Sequence, residues 1–258
     1  MTTKRTAHER FPEVIAAAVR VFARDGYRTA HMSDVAREAG LSEAALYRYV
    51  DGKESLFVLA IRHALLLEPL PGEDEPAGQF PLKAPPLTQM IREAREFVAA
   101  EVPFGALAAA LSPGPGAPGD PDDPASELQL IMRELFTLEE QTAQAADMIE
   151  RSARELPELA DLLNTGLRRP VLDALTQYLD SRAKTGKLRT TPDTAATARL
   201  ILETLTWFAR HRHSDPYGAA IPPALAQETA VDALLHALVP PQYLAEPDAL
   251  QHDQGERR

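Results

Sequence analysis

TAHMSDVAREAGLSEAALYRYVDGKESLF, residues 29–57, holds two short helical patterns joined by a tight glycine turn and followed by a third helix start. The first pattern predicts a helix over Met32–Ala39, with Met32, Val35 and Ala36 turned inward and Gly40 ending it. Ser42 is a good N-cap, so the next helix covers Glu43–Tyr49 and buries Leu46. Asp51 and Glu54 match a capping box of the D-x-x-E kind, which starts a further helix at Gly52 or Lys53, running through Phe57, Ile61 and Leu65. Upstream, Ile15, Ala18, Val19 and Phe22 recur at helical spacing, predicting a helix over Phe11–Asp25 that stops at Gly26.

The spacing of the central pair is that of a helix-turn-helix, in which the second helix offers its first residues to base edges in the major groove of duplex DNA. Gly40 permits the positive φ that reverses the chain in so few residues, and small Ala36 and Ala39 let the helices cross closely. Ala44 and Ala45 on the leading turn are small enough to approach the groove floor and touch thymine methyls. Tyr47 and Tyr49 carry hydroxyls able to donate to phosphate oxygens, and Lys53 stands at a helix N-terminus, itself a place for anions. The bland alternative is a glycine-turned helix pair that only packs.

Beyond this window the chain reads as all-α. Pro69–Pro86 holds six prolines and two glycines, and Pro113–Pro124 five prolines and three glycines, so both are expected to be loops or mobile connectors. Ser126 with Gln129 predicts a cap for a long helix over Glu127–Glu155, and further helices are expected over 158–165, 168–185, 193–211 and 223–239. Thr191 as cap and Pro192 as first residue open the helix over 193–211. The expected division is 1–63 for the helix-turn-helix domain, 64–245 for a helical domain and 246–258 for a polar tail.

Net charge is -11, from 27 Lys+Arg against 38 Asp+Glu, which by itself argues against a nucleic-acid partner. Its distribution says otherwise, because residues 1–63 carry 10 basic and 8 acidic side chains and the acidic excess lies in the rest. With no cysteine, disulfides and thiolate metal sites are excluded. No run of about 18 apolar residues and no signal-like start occur, so a cytoplasmic protein without membrane contact is expected.

Signs of catalysis fail on context. Residues 114–119, GPGAPG, fit G-x-G-x-x-G literally, yet they follow no strand and run into DPDDP instead of a helix. There is no H-E-x-x-H or G-x-S-x-G, so no enzyme, cofactor or metal site is expected. Met90, Phe97, Phe104, Met132, Leu135, Phe136, Met148, Tyr178, Trp207 and Phe208 either line a cavity for a small molecule or form ordinary core. Glu139 and Glu140 either attract a cationic ligand or sit on a solvated face. His211 and His213, with Arg210 and Arg212, suit the negative end of a helix better than a metal.

AAAVRVFARDGY (16–27) and DVAREAGLSEAALYRYVDGKESLF (34–57) resemble the tetracycline-repressor (TetR) family of bacterial transcription regulators, including the L-Y-x-Y core and the following K-E-x-L-F. A looser likeness continues in ELPELADLL (155–163), LRRP (167–170) and AKTGKLRTTPDTAATARLI (183–201). The resemblance implies an N-terminal three-helix DNA-binding domain, and a C-terminal helical domain that binds a small effector and forms a homodimer through its last two helices. It further implies phosphate contacts from Tyr47, Tyr49 and Lys53, groove positions for Ser42, Glu43, Ala44 and Ala45, and a supporting role for Arg37. Seam candidates on the last two helices are Leu200, Leu205, Trp207, Val231, Leu234, Leu235 and Leu238. The partners expected are therefore double-stranded DNA with a pseudo-palindromic operator, a second copy of the chain, and an unidentified small molecule. A helical small-molecule carrier, an activator or a ligand-independent regulator are the competing readings.

Three departures stand out. Ala30 replaces the family's usual threonine, so either Thr29 supplies the cap of the first helix of the pair, with the DNA contact expected there, or both are lost. Val50 replaces a common aromatic, and Asp51 puts a negative charge near the phosphates. Pro69 and Pro71 cut short the fourth helix, the family's usual relay between its two domains.

Overall fold

The computed structural model describes residues 7–65, 80–100, 105–112 and 123–244, with side chains at 7–8 and 97–100 left aside. Phe104, Pro69, Pro71, the tail 246–258 and the side chain of Phe97 therefore lie outside what is described. Twelve α-helices account for the described fold, and the one β-type pairing among these residues is a single bridge between Val50 and Leu82.

α1 (Ala7–Thr29) starts earlier and ends later than its apolar pattern suggested. Phe11, Val14, Ile15, Ala18 and Phe22 form its buried stripe. Gly26, at φ 77°, breaks its regular dihedrals, so the last turn swings away. Phe22, Tyr27 and Phe57 then form an aromatic knot, with Phe57 centred 5.0 Å from Phe22 and 4.8 Å from Tyr27.

α2 (Met32–Glu38) and α3 (Glu43–Leu46) are joined by a glycine-terminated turn of the Schellman type: Leu41 N–H donates to Ala36 O at 2.8 Å and Gly40 N–H to Arg37 O at 3.2 Å. Gly40 sits at φ 65° with nothing within 4 Å of a would-be Cβ, so conformation and not space demands glycine there. α3 is shorter than the expected Glu43–Tyr49, because Arg48 and Tyr49 N–H groups reach back only three residues and tighten the chain.

α4 (Lys53–Ala64) lacks the expected capping box. Asp51 N–H instead donates to Leu82 O at 3.1 Å, and the Glu54 carboxylate is turned toward the N–H of Leu87, which starts α5 (Leu87–Ala100). Residues 80–86, expected to be loop, form neither helix nor strand, and these bonds tie them to the N-terminal helices.

The remaining helices are α6 (Gly105–Leu111), α7 (Pro124–Gln141), α8 (Ala143–Ser152), α9 (Pro157–Asp161), α10 (Arg169–Lys184), α11 (Thr194–Ala209) and α12 (Pro223–Leu238). The expected long helix over Glu127–Glu155 is two helices, α7 and α8, meeting at Thr142, whose hydroxyl donates to Leu138 O at 2.7 Å and bends the chain. Asp123, and not Ser126, caps α7, accepting from the N–H groups of Ala125 and Ser126. Asp193, and not Thr191, caps α11 through Ala196 N–H at 2.7 Å. Between α9 and α10 a π-helical turn spans Leu162–Arg168.

Two hydrophobic clusters share the molecule. One joins α1–α4 to α5, α8 and α9, with Phe11, Phe57, Ile61, Met90, Met148 and Leu159 among its members. The other joins α6, α7, α10, α11 and α12 through residues such as Leu107, Met132, Phe136, Leu175 and Leu205. Inside the second, Arg182 grips Glu127 with Nε at 2.9 Å and Nη2 at 2.8 Å, and Tyr178 OH adds a bond to the same carboxylate at 3.0 Å. No helix among the described residues is long and apolar enough to cross a membrane.

Candidate nucleic-acid interface

The first turn of α3 is presented to solvent. Ser42, Glu43 and Ala44 are exposed, while Ala45 is 9 % exposed and Leu46 is sealed beneath them. Ser42 Oγ accepts from Ala45 N–H at 3.2 Å, which fixes the start of the helix and leaves the Glu43 and Ala44 side chains free to face a groove. Ala45 lies at the floor of this surface and not at its crest.

The two tyrosines part company. Tyr47 is 45 % exposed beside exposed Arg48, whereas Tyr49 is 8 % exposed with its ring edge-on to Phe80 at 5.6 Å. The early end of α3 explains the split, since the tightened turn rotates Tyr49 toward α1. Lys53 also differs from expectation: its ammonium donates to Arg28 O at 3.1 Å and lies 4.8 Å above the Tyr27 ring. Partial burial there lowers its affinity for a proton below the ordinary value.

Thr29 is exposed but does not cap α2. His31 takes that position, and its N–H donates to Asp34 Oδ2 at 3.1 Å. That bond is the first cause holding the Asp34 carboxyl below its usual range, and Arg37, whose Nη2 lies 2.6 Å from Asp34 Oδ1, adds to it. Arg37 remains exposed at the end of α2, its guanidinium partly engaged.

The cavity candidates do not converge. Met90 and Met148 belong to the first cluster, Met132, Leu135, Phe136 and Tyr178 to the second, and Trp207 is a 37 % exposed ring against Phe208 at 4.9 Å. An open depression on α10, lined by Asp173, Thr176, Gln177, Asp180, Ser181 and Lys184, contains none of them. Among the seam candidates, Leu205, Val231, Leu234 and Leu238 are buried within this chain and Leu235 is half-buried, because α11 and α12 pack on one another and on α7. Leu200, at 61 % exposure, faces out.

Several polar groups were hidden from the sequence. Glu139 is not on a solvated face, and burial pushes its carboxyl above the ordinary range. Arg210, instead of merely decorating a helix end, reaches α8, with Nε 2.9 Å from Asp147 Oδ1 and Nη1 3.0 Å from Glu150 Oε1. α8 in turn holds the end of α1: Ser152 Oγ accepts from Tyr27 N–H at 3.0 Å, and Glu155, just beyond it, from Arg28 N–H at 3.1 Å. No group of three or more His, Cys, Asp or Glu among the described residues could hold a metal ion.

The family profile that matches this chain falls on this end of the molecule. Residues 14–60 match the profile of bacterial regulatory proteins of the tetR family. The HTH-type transcriptional regulator HbdR of Aromatoleum sp. (strain CIB) is 31% identical over 65 residues, which is 25% of this chain and 28% of that protein. The chain thus matches little more than a quarter of that relative's length. Among solved structures, ketosteroid transcriptional regulator KstR2 of Mycobacterium tuberculosis superposes with a TM-score of 0.52 at 15% identity, over 93% of this chain and 100% of that one. A TetR-like transcriptional regulator from Rhodococcus sp. RHA1 gives 0.51 at 17% identity, over 91% and 98%. Those two likenesses are likenesses of fold. With the helix-turn-helix geometry on the page, the profile match falls on α1–α4, so this N-terminal segment is similar to bacterial regulatory proteins of the tetR family.

Proposed function

We propose that this chain is a homodimeric, sequence-specific DNA-binding regulator of transcription, a repressor released from a pseudo-palindromic operator by a small molecule. The observation that carries the reading is the exposed, Ser42-capped first turn of α3, with Ala44 at its crest and Tyr47 beside it. A single turn of this size touches few base pairs, so useful specificity calls for two copies related by a dyad, about 34 to 36 Å apart or a multiple of that. Residues 1–63 would read DNA and 64–245 would bind the effector and the second copy, neither needing a cofactor, a catalytic group or a membrane. Exposed Leu200 and Trp207 on α11 and Leu225 on α12 support a seam on these two helices.

The test is selection of duplex fragments by the full chain and by Ala44→Gln. A consensus that differs between the two proteins is expected. Retention of no fragments, or the same consensus for both, would overturn the docking. One observation favours a ligand-independent regulator as the second reading: the candidate lining residues fall into two separate cores. Effector screening by thermal shift, paired with release of the selected fragment, separates the two.

A further inference from the structure

Residues 80–83 cross the C-terminal end of the helix-turn-helix as a strap. Leu82 N–H donates to Tyr49 O at 2.8 Å and its carbonyl accepts from Asp51 N–H at 3.1 Å, so Leu82 pairs in parallel with Val50. Phe80 anchors one side, its ring 5.3 Å from Phe11 and 5.6 Å from Tyr49. On the other side Ala84 N–H donates to Ser55 Oγ at 3.2 Å. The strap is therefore fixed at both ends to helices that flank the candidate DNA surface.

Lys83 lies between these anchors, one residue beyond the bridge, and its side chain is exposed. It makes no ion pair among the described residues. Its register puts it beside Asp51, the exposed carboxylate that otherwise turns this edge away from phosphates, and beside the start of α4. Lys53, the cation that the sequence singles out for this edge, is drawn instead toward Arg28 O and the Tyr27 ring.

We propose that the 80–83 strap is a second DNA-facing element, and that Lys83 makes a phosphate contact flanking the one expected at Tyr47. The inference rests on the DNA-binding reading above. Main-chain pairing gives Lys83 a defined position, so its charge reaches the phosphate path without the ordering cost that a free loop would bear.

Two measurements on the full chain test it, using a mixed-sequence duplex as probe. Lys83→Gln is expected to weaken binding alike for selected and unrelated duplexes and to lower the slope of log affinity against log salt by about one. Lys184→Gln, at the C-terminal end of α10, is expected to leave both unchanged. Because the chain has no cysteine, Lys83→Cys supplies a lone thiol, whose alkylation should slow at least several-fold when duplex is added. An unchanged slope, or alkylation indifferent to DNA, while the wild-type chain binds duplex overturns the strap's role alone. Absence of salt-dependent binding by the wild-type chain to any duplex overturns the DNA-binding reading and this inference with it.

Discussion

At the scale of single residues, the tyrosine pair shows how one missing helical turn divides roles. Tyr47 stays at the surface, so Tyr47→Phe is expected to cost about 0.5 to 1.5 kcal/mol of DNA affinity, measured by titration at fixed salt, with thermal stability unchanged. Tyr49, packed against Phe80, belongs to the fold. Tyr49→Ala is expected to lower the denaturant midpoint by the equivalent of about 3 kcal/mol or more, in line with aromatic truncations in cores. Glu139 gives a pH prediction. Its folded-state carboxyl titrates above the ordinary 4.5, so the folded state holds its proton more tightly than the unfolded one. Stability from this group is then full below the ordinary value and is lost as pH rises through the raised one. Glu139→Gln is expected to raise the melting temperature at neutral pH and to flatten that loss, read by thermal unfolding from acid to neutral pH.

At the scale of elements, the sequence carried the N-terminal helices well because each boundary has a local chemical cause. Gly40, Ser42 and the apolar spacing of Ile15, Ala18, Val19 and Phe22 act on neighbours within one or two turns, and those helices stand close to where the pattern put them. What was illegible depended on distant partners. The strap at 80–83 is built from main-chain bonds to Tyr49 and Asp51, which no side-chain pattern announces. Arg210 read as a helix-end cation because Asp147 and Glu150 lie some 60 positions away in sequence. Likewise Asp51 and Glu54 fit a capping box on paper, yet tertiary partners claimed both: the Leu82 carbonyl accepts from Asp51 N–H, and Leu87 N–H faces the Glu54 carboxylate. The Arg182–Glu127 pair, with side chains 4% and 9% exposed, offers an element-level test. Removing one member leaves the other charged and buried, so Arg182→Ala is expected to cost about 3 to 5 kcal/mol in chemical denaturation.

At the scale of the whole molecule, placement of the leucines decides which surface can meet a second copy. Leu234, buried at 6 % exposure, would report on folding if changed, whereas Leu200 at 61 % is available to a partner. Leu200→Glu is expected to yield a folded monomer in sedimentation, with helicity retained by circular dichroism; an intact dimer would move the seam off this face of α11. α8 belongs to the first hydrophobic cluster, and its acidic side chains hold Arg210 at the end of α11 while its final turn, with Glu155, grips the backbone of Tyr27 and Arg28.

That grip has a consequence for spacing. If the chain reads DNA as the proposed dimer, a reading head held at Tyr27 and Arg28 swivels little to suit a badly spaced target. Inserting one base pair between the half-sites moves the second by about 3.4 Å and turns it around the duplex, and a tethered head would follow neither displacement. Such a protein should be intolerant of altered gaps between half-sites, and loosening that hold by Ser152→Ala should make it less fussy about distance before it makes it less fussy about letters.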